Sequence, residues 1–231
     1  MHLRGKFKKT DYMRLIGHLD LMKLFHRAIK RSKIQLKYSE GFSPTPKLSI
    51  PNPLPLGVES ICEYIEFETI NDFDPLELID EINKQLPMGL DIIDLRISNN
   101  YNSISKEIKY SSYKIYFPED FEFGEVEVAV SNLKELETYV VYRRKRNKKK
   151  KRFEEIPVDI RALIYDIGVT SGDEDYINYI CHSSDGANLR ADVLISGISE
   201  LIGKDIDYTE LKIVRTGQYS DEFLNEINLE G

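Results

Sequence analysis

One proline-rich stretch, from Tyr38 to Ser60, constrains the fold more than any other part of the sequence. It contains five prolines and two glycines in 23 residues. Because proline fixes φ, lacks a backbone donor and pushes the preceding residue toward extended geometry, this stretch cannot form a helix. Apolar residues recur along it, which distinguishes it from a disordered segment. We predict an ordered loop that either packs as a stiff connection or forms a binding site.

Composition is that of a globular protein. The chain has 231 residues, of which 41% are hydrophobic and 31% charged, enough for one large or two small cores. No run reaches the roughly 18 apolar residues of a membrane span, and residues 1–9 lack the apolar core of a signal peptide. We therefore expect a cytoplasmic protein that does not bind membranes. Cys62 and Cys181 each lie in an apolar run, which favours reduced core thiols over a disulfide.

The periodicity of apolar residues predicts an α+β fold. The first half alternates strands and helices in the order of a split βαβ unit, at residues 2–8, 20–32, 62–70, 75–86 and 90–97. The second half has strands at 110–117, 139–144, 152–157, 160–167, 176–182 and 208–216 and helices at 126–136 and 188–202. We predict two ferredoxin-like (split βαβ) αβ-sandwich domains in tandem, residues 1–105 and 106–231, with an acidic, peripheral segment from residue 219.

Two strands of the first half predict a solvated face. Arg4, Lys6 and Lys8 alternate with apolar residues in the first strand. Glutamates 63, 66 and 68 alternate with apolar and aromatic residues in the second. In an antiparallel sheet such alternation is typical of one buried and one water-facing side.

Lysine and arginine are concentrated in two stretches, although the net charge is −7. Residues 1–48 contain 12 Lys and Arg against 3 Asp and Glu, a net charge of +9. Such segregation attracts anionic partners, unless the basic and acidic parts neutralise each other within the fold. On the predicted helix the cations share one side: Lys23, Arg27, Lys30 and Arg31. The helix dipole also favours cations in the last turn, so part of this pattern serves helix stability.

The second basic stretch, residues 143–152, holds nine cations around one asparagine. Their mutual repulsion predicts a solvated hairpin tip. Tyr139, Tyr142 and Phe153 flank it, and aromatic residues beside cations are typical of surfaces that bind single-stranded RNA. A solvated loop without a ligand is the alternative interpretation.

No motif indicates catalysis or metal binding. The four histidines form no i, i+4 pair, and CxxC, GxxxxGK[ST], GxGxxG and GxSxG are all absent. His18 and Asp20 stand together before the predicted helix, where His18 is either a hydrogen-bonded turn residue or a ligand or proton-transfer group. We therefore predict no catalytic residue, no metal and no cofactor.

Three segments, GHLD, YSEGFSPTP and PLPLGVES, together resemble an uncharacterised radical-SAM-associated family. This domain of unknown function occurs alone or fused to the C-terminal end of B12-binding radical SAM proteins. Its pattern is SHLD, a helix, YSxGFNPHP and PLPLGxxS. The matching positions are His18, Leu19, Asp20, Tyr38, Ser39, Gly41, Phe42, Pro44, Pro46, Pro53, Leu54, Pro55, Leu56, Gly57 and Ser60.

The sequence departs from that pattern at three positions. Gly17 replaces the usual serine, Ser43 the usual asparagine and Thr45 the usual second histidine. If such a pair of histidines is catalytic or metal-binding in relatives, this chain lacks half of it, which favours a structural or binding role for the loop. Two cysteines cannot supply the three thiolates that a radical SAM cluster requires. Relatives are often encoded near ribosomal-protein and RNA-processing functions, so the resemblance implies RNA as a partner.

Three functions fit these observations. The first is a non-catalytic RNA-binding accessory module that works with a radical SAM protein in tRNA or rRNA modification. The second is a protein-interaction platform whose loop docks the radical SAM partner, and the third is a small enzyme or ligand binder using His18, Asp20, Tyr38 and Ser39. The predicted binding residues are His18, Asp20, Lys23, Arg27, Arg31, Tyr38, Ser39, Gly41, Phe42, Pro44, Pro46 and Lys47, and the basic tip comprises Arg143, Arg144, Lys145, Arg146, Lys148, Lys149, Lys150, Lys151 and Arg152.

Overall fold

The computed structural model describes residues 1–147, 152–184 and 187–230, with the backbone alone for residues 144–147 and 152. It shows a mixed α/β fold, as the sequence predicts. None of the helices in the described part of the chain combines the length and apolarity that a bilayer crossing requires.

The chain forms two compact units. The first comprises Met1–Lys109 together with the chain from Val214 onward, and the second is Tyr110–Ile213. This division differs from the predicted boundary at residue 105, because the last strand brings the C-terminal segment back to the first unit. The elements in chain order are β1 (His2–Lys9), α1 (His18–Arg31), β2 (Leu48–Ser49), β3 (Val58–Glu68), α2 (Pro75–Asn83), β4 (Leu90–Ile97), α3 (Ile104–Glu107), β5 (Tyr110–Tyr116), α4 (Gly124–Glu135), β6 (Val140–Asn147), β7 (Arg152–Asp159), α5 (Ile160–Leu163), β8 (Ile164–Thr170), β9 (Tyr176–His182), α6 (Ala191–Ile202) and β10 (Lys212–Tyr219).

The sheet of the first unit has the strand order β4-β1-β3-β10, and β2 also pairs with β3. β1 is antiparallel to both β3 and β4, and β2 is antiparallel to β3. Gly5 of β1 is packed so closely that a Cβ there would lie 2.9 Å from Leu95 and 3.1 Å from Ile65. Only glycine therefore fits at this point of the sheet without displacing its neighbours.

One face of this sheet is covered by α1 and α2. The apolar stripe of α1 is buried in the same core as Leu3 and Phe7 of β1, and the Phe7 and Phe25 rings meet edge to face at 4.8 Å. α2 begins at Pro75, and its N-cap Asp74 accepts a hydrogen bond from the Leu76 backbone at 2.8 Å. The buried α1 residues are Leu21, Phe25, Ala28 and Ile29.

The prediction that one face of β1 and β3 is solvated is wrong at three charged residues. Arg4, Glu63 and Glu66 are all buried. A second apolar cluster covers the face that carries Arg4 and Glu66, because Tyr64 of β3 packs there against Ile104 of α3 and against Ile108, Ile227 and Leu229. Glu63 lies on the other face, in register with Phe7, where Arg215 of β10 meets it. The C-terminal segment, predicted to be peripheral, is thus part of the core of the first unit.

Arg4, Glu63 and Glu66 each lie beside a residue of opposite charge. Arg215 of β10 donates to the Glu63 carboxylate at 2.9 and 3.1 Å. Arg4 donates to Glu107 at 2.8 Å and lies 3.7 Å from Glu66. Burial raises the pKa of Glu66, against the opposing effects of the Ile104 backbone hydrogen bond and the Arg4 charge.

The sheet of the second unit contains β5, β9 and β8, paired antiparallel in that order, while β6 and β7 form a separate hairpin. α4 packs against α6 and β8. The predicted strand 160–167 instead begins as α5, because the Asp159 carboxylate accepts hydrogen bonds from the Arg161 and Ala162 backbones. α6 begins at Ala191, three residues after its predicted cap, and a 3₁₀ turn at Tyr208–Glu210 precedes β10.

The Glu63–Arg215 pair predicts a large stability effect. Glu63→Gln removes the charge opposite a fully buried guanidinium, so we expect the free energy of unfolding to fall by about 3 kcal/mol in urea titrations. Lys84→Gln is the control, because it breaks the solvent-exposed Glu81–Lys84 pair and should leave the midpoint unchanged. Equal midpoints for wild type and Glu63→Gln would contradict this account.

Candidate functional site

The first half of the proline-rich stretch closes into a small protruding loop. The Ser39 backbone N–H donates to the Thr45 carbonyl at 2.8 Å, and the Thr45 N–H donates to the Ser39 hydroxyl at 3.0 Å. Gly41 has φ +122°, which favours glycine. Phe42 projects fully into solvent at the tip. Thr45 therefore serves as a structural clamp of this loop.

Two lysines hold the base of the loop against β3. Lys47 and Lys37 approach the Glu68 carboxylate at 2.9 and 3.5 Å. The backbones of Tyr38 and Pro46 face each other as an antiparallel bridge. The loop is thus closed at its base as well as near its tip, and its outline is set by short contacts.

Buried groups of β10 hold the second half of the stretch. Arg215 donates to the Asn52 carbonyl at 3.0 Å, and the Asn52 amide donates to Gln218 at 2.8 Å. Farther along, the Gly57 N–H donates to the Arg14 carbonyl at 2.9 Å. The segment around PNPLPLG is therefore attached to the sheet and to the turn before α1.

α1 presents a stripe of cations to solvent. Lys23, Arg27 and Lys30 recur at helical spacing and are all exposed. Lys23 pairs with Asp20 at 3.2 Å, whereas Arg27 and Lys30 have no ion pair in the part of the chain that the structure describes. Arg31, predicted to belong to this stripe, instead donates to the side chain and carbonyl of Gln85 at 3.2 and 2.6 Å.

The stripe leads to a groove of about 310 Å³ between the C-terminal half of α1 and the base of the loop. His26 Nε2 lies 3.3 Å from the Tyr38 hydroxyl, and the two rings meet edge-on with centroids 6.4 Å apart. Tyr38 is half-exposed. The full lining is His26, Lys30, Ile34, Gln35, Leu36, Tyr38 and Ile70, which combines an apolar floor with one cation.

Sequence reasoning did not assign His26 or Lys30 to the binding site. Their signal is the i, i+4 spacing on α1, which puts both side chains on the side of the helix that faces Tyr38. The spacing alone does not show that the chain returns beside them. The loop closure provides that information.

A second groove, of about 380 Å³, lies on the other side of the loop. His2 stacks on Tyr101 with ring centroids 4.9 Å apart. Burial lowers the pKa of His2, with Arg4 adding to the effect, so its imidazole is neutral near pH 7. Ser39 and Lys47 also line this groove, and neither His2 nor Tyr101 is suggested by the sequence.

His18 and Asp20 lie at the first turn of α1. Gly17 is the N-cap and provides no side-chain hydrogen bond. Lys9, which is fully buried, donates to the carbonyl of Ile16 at 3.0 Å and thereby fixes the turn that precedes His18. Among the described residues, no hydrogen bond or ion pair connects His18 with Asp20, Tyr38 or Ser39.

The predicted basic tip belongs to the β6–β7 hairpin of the second unit. Residues 148–151 lie outside the described residues, as do the side chains of 144–147 and 152. Tyr142 and Phe153, which flank the tip, are largely exposed. The role of the tip stays a prediction.

No group of three or more His, Cys, Asp or Glu side chains in the described ranges is arranged to hold a metal ion. Cys62 and Cys181 are not joined in a disulfide, and both are buried. Burial raises the pKa of Cys62 to about 12, with the neighbouring Glu63 charge adding to the effect.

Thiol reactivity tests this description. At about pH 8 the native protein should not react with Ellman's reagent, because Cys62 is protonated and both sulfurs are inaccessible. After denaturation both thiols should react. A Ser105→Cys variant, which adds a thiol at an exposed position, is the control and should release one equivalent in the native state. Rapid native reaction of the wild type would contradict the assignment.

Comparison with known proteins gives one family and a set of distantly similar structures. Residues 2–191 match the family described as "Uncharacterized protein conserved in bacteria (DUF2344)". No curated protein matches the sequence significantly. Among the solved structures, a chain of the crystal structure of a Cbf5-Nop10-Gar1 complex is 12% identical with a TM-score of 0.47, over 95% of this chain and 50% of that chain. The chain thus spans about half the length of that structure.

A second solved structure, an unknown protein from Galdieria sulphuraria, is 14% identical with a TM-score of 0.28, over 92% of this chain and 98% of that chain. At these TM-scores, neither similarity carries an argument about fold or function.

Proposed function

The chain belongs to the DUF2344 family of proteins conserved in bacteria, and on that premise we propose that it is a non-catalytic RNA-binding accessory module in tRNA or rRNA modification. The observation that carries the proposal is the cation stripe of α1, which ends in the groove beside Tyr38. Its two unpaired cations, Arg27 and Lys30, and the half-exposed ring lie on one continuous part of the first unit.

This combination suits single-stranded RNA. Phosphates attract exposed cations, and unpaired bases stack on aromatic side chains. The groove offers Lys30 at its edge, the Tyr38 ring in its wall and an apolar floor at Ile34 and Leu36. RNA would then lie along α1, with a base entering the groove. The basic tip on the second unit is a further predicted RNA contact.

In this proposal a radical SAM protein is the partner of this chain. The support for this partner is the resemblance of GHLD, YSEGFSPTP and PLPLGVES to the radical-SAM-associated family. The family resemblance associates such domains with radical SAM enzymes. The described residues supply neither a cysteine cluster nor an accessible thiolate, so the proposal assigns the chemical step to the partner and RNA presentation to this chain.

We also propose that both units are ferredoxin-like. For the first unit the support is the antiparallel order β4-β1-β3-β2, which is that of a split βαβ fold. For the second unit the support is the chain order β5, α4, β8, β9, α6, into which the β6–β7 hairpin is inserted and which leads into β10, whose first two residues belong to this unit. The long loop between α1 and β3 then replaces most of the second strand of the first domain.

Removing the two unpaired cations tests the RNA proposal. An Arg27→Gln/Lys30→Gln variant should bind short single-stranded RNA more weakly, because two phosphate contacts are lost. In gel shifts between about 50 and 200 mM salt, we expect the slope of log K against log salt to become shallower by about 1.4.

The matched control is Lys106→Gln/Lys109→Gln, which removes the same charge from another exposed segment of the first unit. These lysines flank Ile108, which packs in the cluster with Tyr64 and the C-terminal segment. The proposal is overturned if RNA binding by the wild type does not depend on salt, or if both double variants lose RNA affinity equally.

A second candidate function is a docking platform for the radical SAM partner, and the exposure of Phe42 favours it. A phenylalanine wholly in solvent at the tip of a clamped loop contributes nothing to the core. Aromatic side chains of this kind are frequent anchors in protein interfaces.

The loop variant Phe42→Ser separates the two functions. Under the docking hypothesis it should abolish pull-down of a purified B12-binding radical SAM protein from the same organism, while RNA affinity and melting temperature stay unchanged. Phe223→Ser, at another exposed phenylalanine of the first unit, is the control. Retention of the partner by Phe42→Ser would count against docking through this loop.

A further inference from the structure

The sheet of the second unit has one face that is aromatic without being part of the core. Along β5 and β9, alternate residues are buried: Ser111, Tyr113, Ile115, Ile177, Tyr179 and Cys181. The residues between them point to the opposite face and are mostly only half-buried. A water-facing side of an antiparallel sheet normally carries polar residues. Here it carries two aromatic clusters, one at each end of β5.

The first cluster joins three neighbouring strands. Tyr110 and His182 are register partners with ring centroids 5.0 Å apart. Tyr165 meets Tyr110 at 4.9 Å and His182 at 6.2 Å, because a register shift in β8 places it on this side. Tyr165 is 44% exposed, which leaves much of its surface open to a ligand.

The second cluster lies at the other end of the same two strands and includes cations. Tyr116 and Tyr176 are register partners with ring centroids 5.2 Å apart. Lys114 Nζ lies 4.1 Å from the centroid of the Tyr176 ring, and Lys212 Nζ lies 5.6 Å from that of Tyr116. The six residue-to-residue steps from Tyr110 to Tyr116 separate the clusters by about 20 Å along the strand.

We propose that this face, termed the aromatic face, binds single-stranded RNA. One base stacks on the Tyr165 cluster and another on the Tyr116–Tyr176 pair, while Lys114 and Lys212 contact phosphates. Aromatic rings across adjacent strands of a sheet are a known means of holding two or three unpaired bases. The charge complementarity of the two lysines favours a nucleic acid over an apolar peptide. The RNA partner is shared with the proposed function, but the surface is a different one.

An acidic loop limits the path of the strand. Asp173, Glu174 and Asp175 line a pocket of about 310 Å³ with Tyr116 and Lys212. Phosphates are repelled from these carboxylates, so the backbone of the RNA must pass on the lysine side of Tyr116. At the Tyr165 cluster the exposed Asp166 follows Tyr165 directly, so the phosphates must also avoid this carboxylate while a base stacks on the ring.

Substitutions at Tyr165 test the proposal in the full chain. By fluorescence anisotropy with a short labelled single-stranded RNA, Tyr165→Ala should weaken binding about 5- to 150-fold, which corresponds to the loss of one stacked base. Tyr165→Leu, which keeps the apolar bulk, should also weaken it, whereas Tyr165→Phe should stay within about twofold. Phe223→Ala, at an exposed aromatic residue of the first unit, should have no effect. Circular dichroism establishes that each variant is folded.

The salt dependence distinguishes this surface from α1. Tyr165→Ala should lower affinity without changing the salt slope, whereas the α1 double variant changes the slope. If RNA affinity falls in Tyr165→Ala but not in the α1 double variant, the result supports the aromatic face and overturns the α1 proposal.

Photocrosslinking locates the contact. RNA carrying 4-thiouridine should crosslink to the peptides that contain Tyr110, Tyr165 or His182. Unchanged RNA affinity in both Tyr165→Ala and Tyr165→Leu overturns the inference. The inference is also overturned if the protein binds duplex RNA as tightly as single-stranded RNA. It is overturned, too, if the Tyr165 variants lose a protein partner while their RNA affinity is unchanged.

Discussion

Two buried cations hold the segments on which the candidate site depends. Arg215 pairs with Glu63 and donates to the carbonyl of Asn52, and Lys9 donates to the carbonyl of Ile16. A buried cation is costly unless its hydrogen bonds are satisfied. The favourable state of the first unit is therefore the one in which the proline-rich loop and the turn before α1 are both seated on the sheet.

These anchoring contacts explain how a loop rich in proline can form a defined surface. Its second half is attached to β10, and its first half is closed by Ser39 and Thr45, so that Phe42 projects and Tyr38 faces α1. A binding surface built on a rigid base loses less conformational entropy when a ligand binds. The loop thus separates two grooves of different character, one with Lys30 and one with the neutral His2.

Features that depend only on residues close together in the chain could be predicted from the sequence. The period of α1 predicts its buried stripe, and Asp74 with Pro75 predicts the start of α2. Charged residues misled the interpretation of β3, since its glutamates alternate as if one side faced water. α3 and the C-terminal segment cover the side that carries Glu66. Glu63 lies on the opposite side, where Arg215 from the far end of the chain pairs with it. A local pattern cannot reveal a partner that is 152 residues away.

By itself, the sequence determined the helix–loop unit that carries the family motifs, the mixed α/β class and the concentration of cations on α1. These depend on proline geometry, apolar period and residue type, all of which act over a few positions. The tertiary structure alone decided that Arg31 turns to Gln85, that Thr45 clamps the loop and that Tyr110, Tyr165 and His182 meet on one sheet face. Those contacts join segments that are far apart in the chain. They form only when strand pairing and burial bring the segments together.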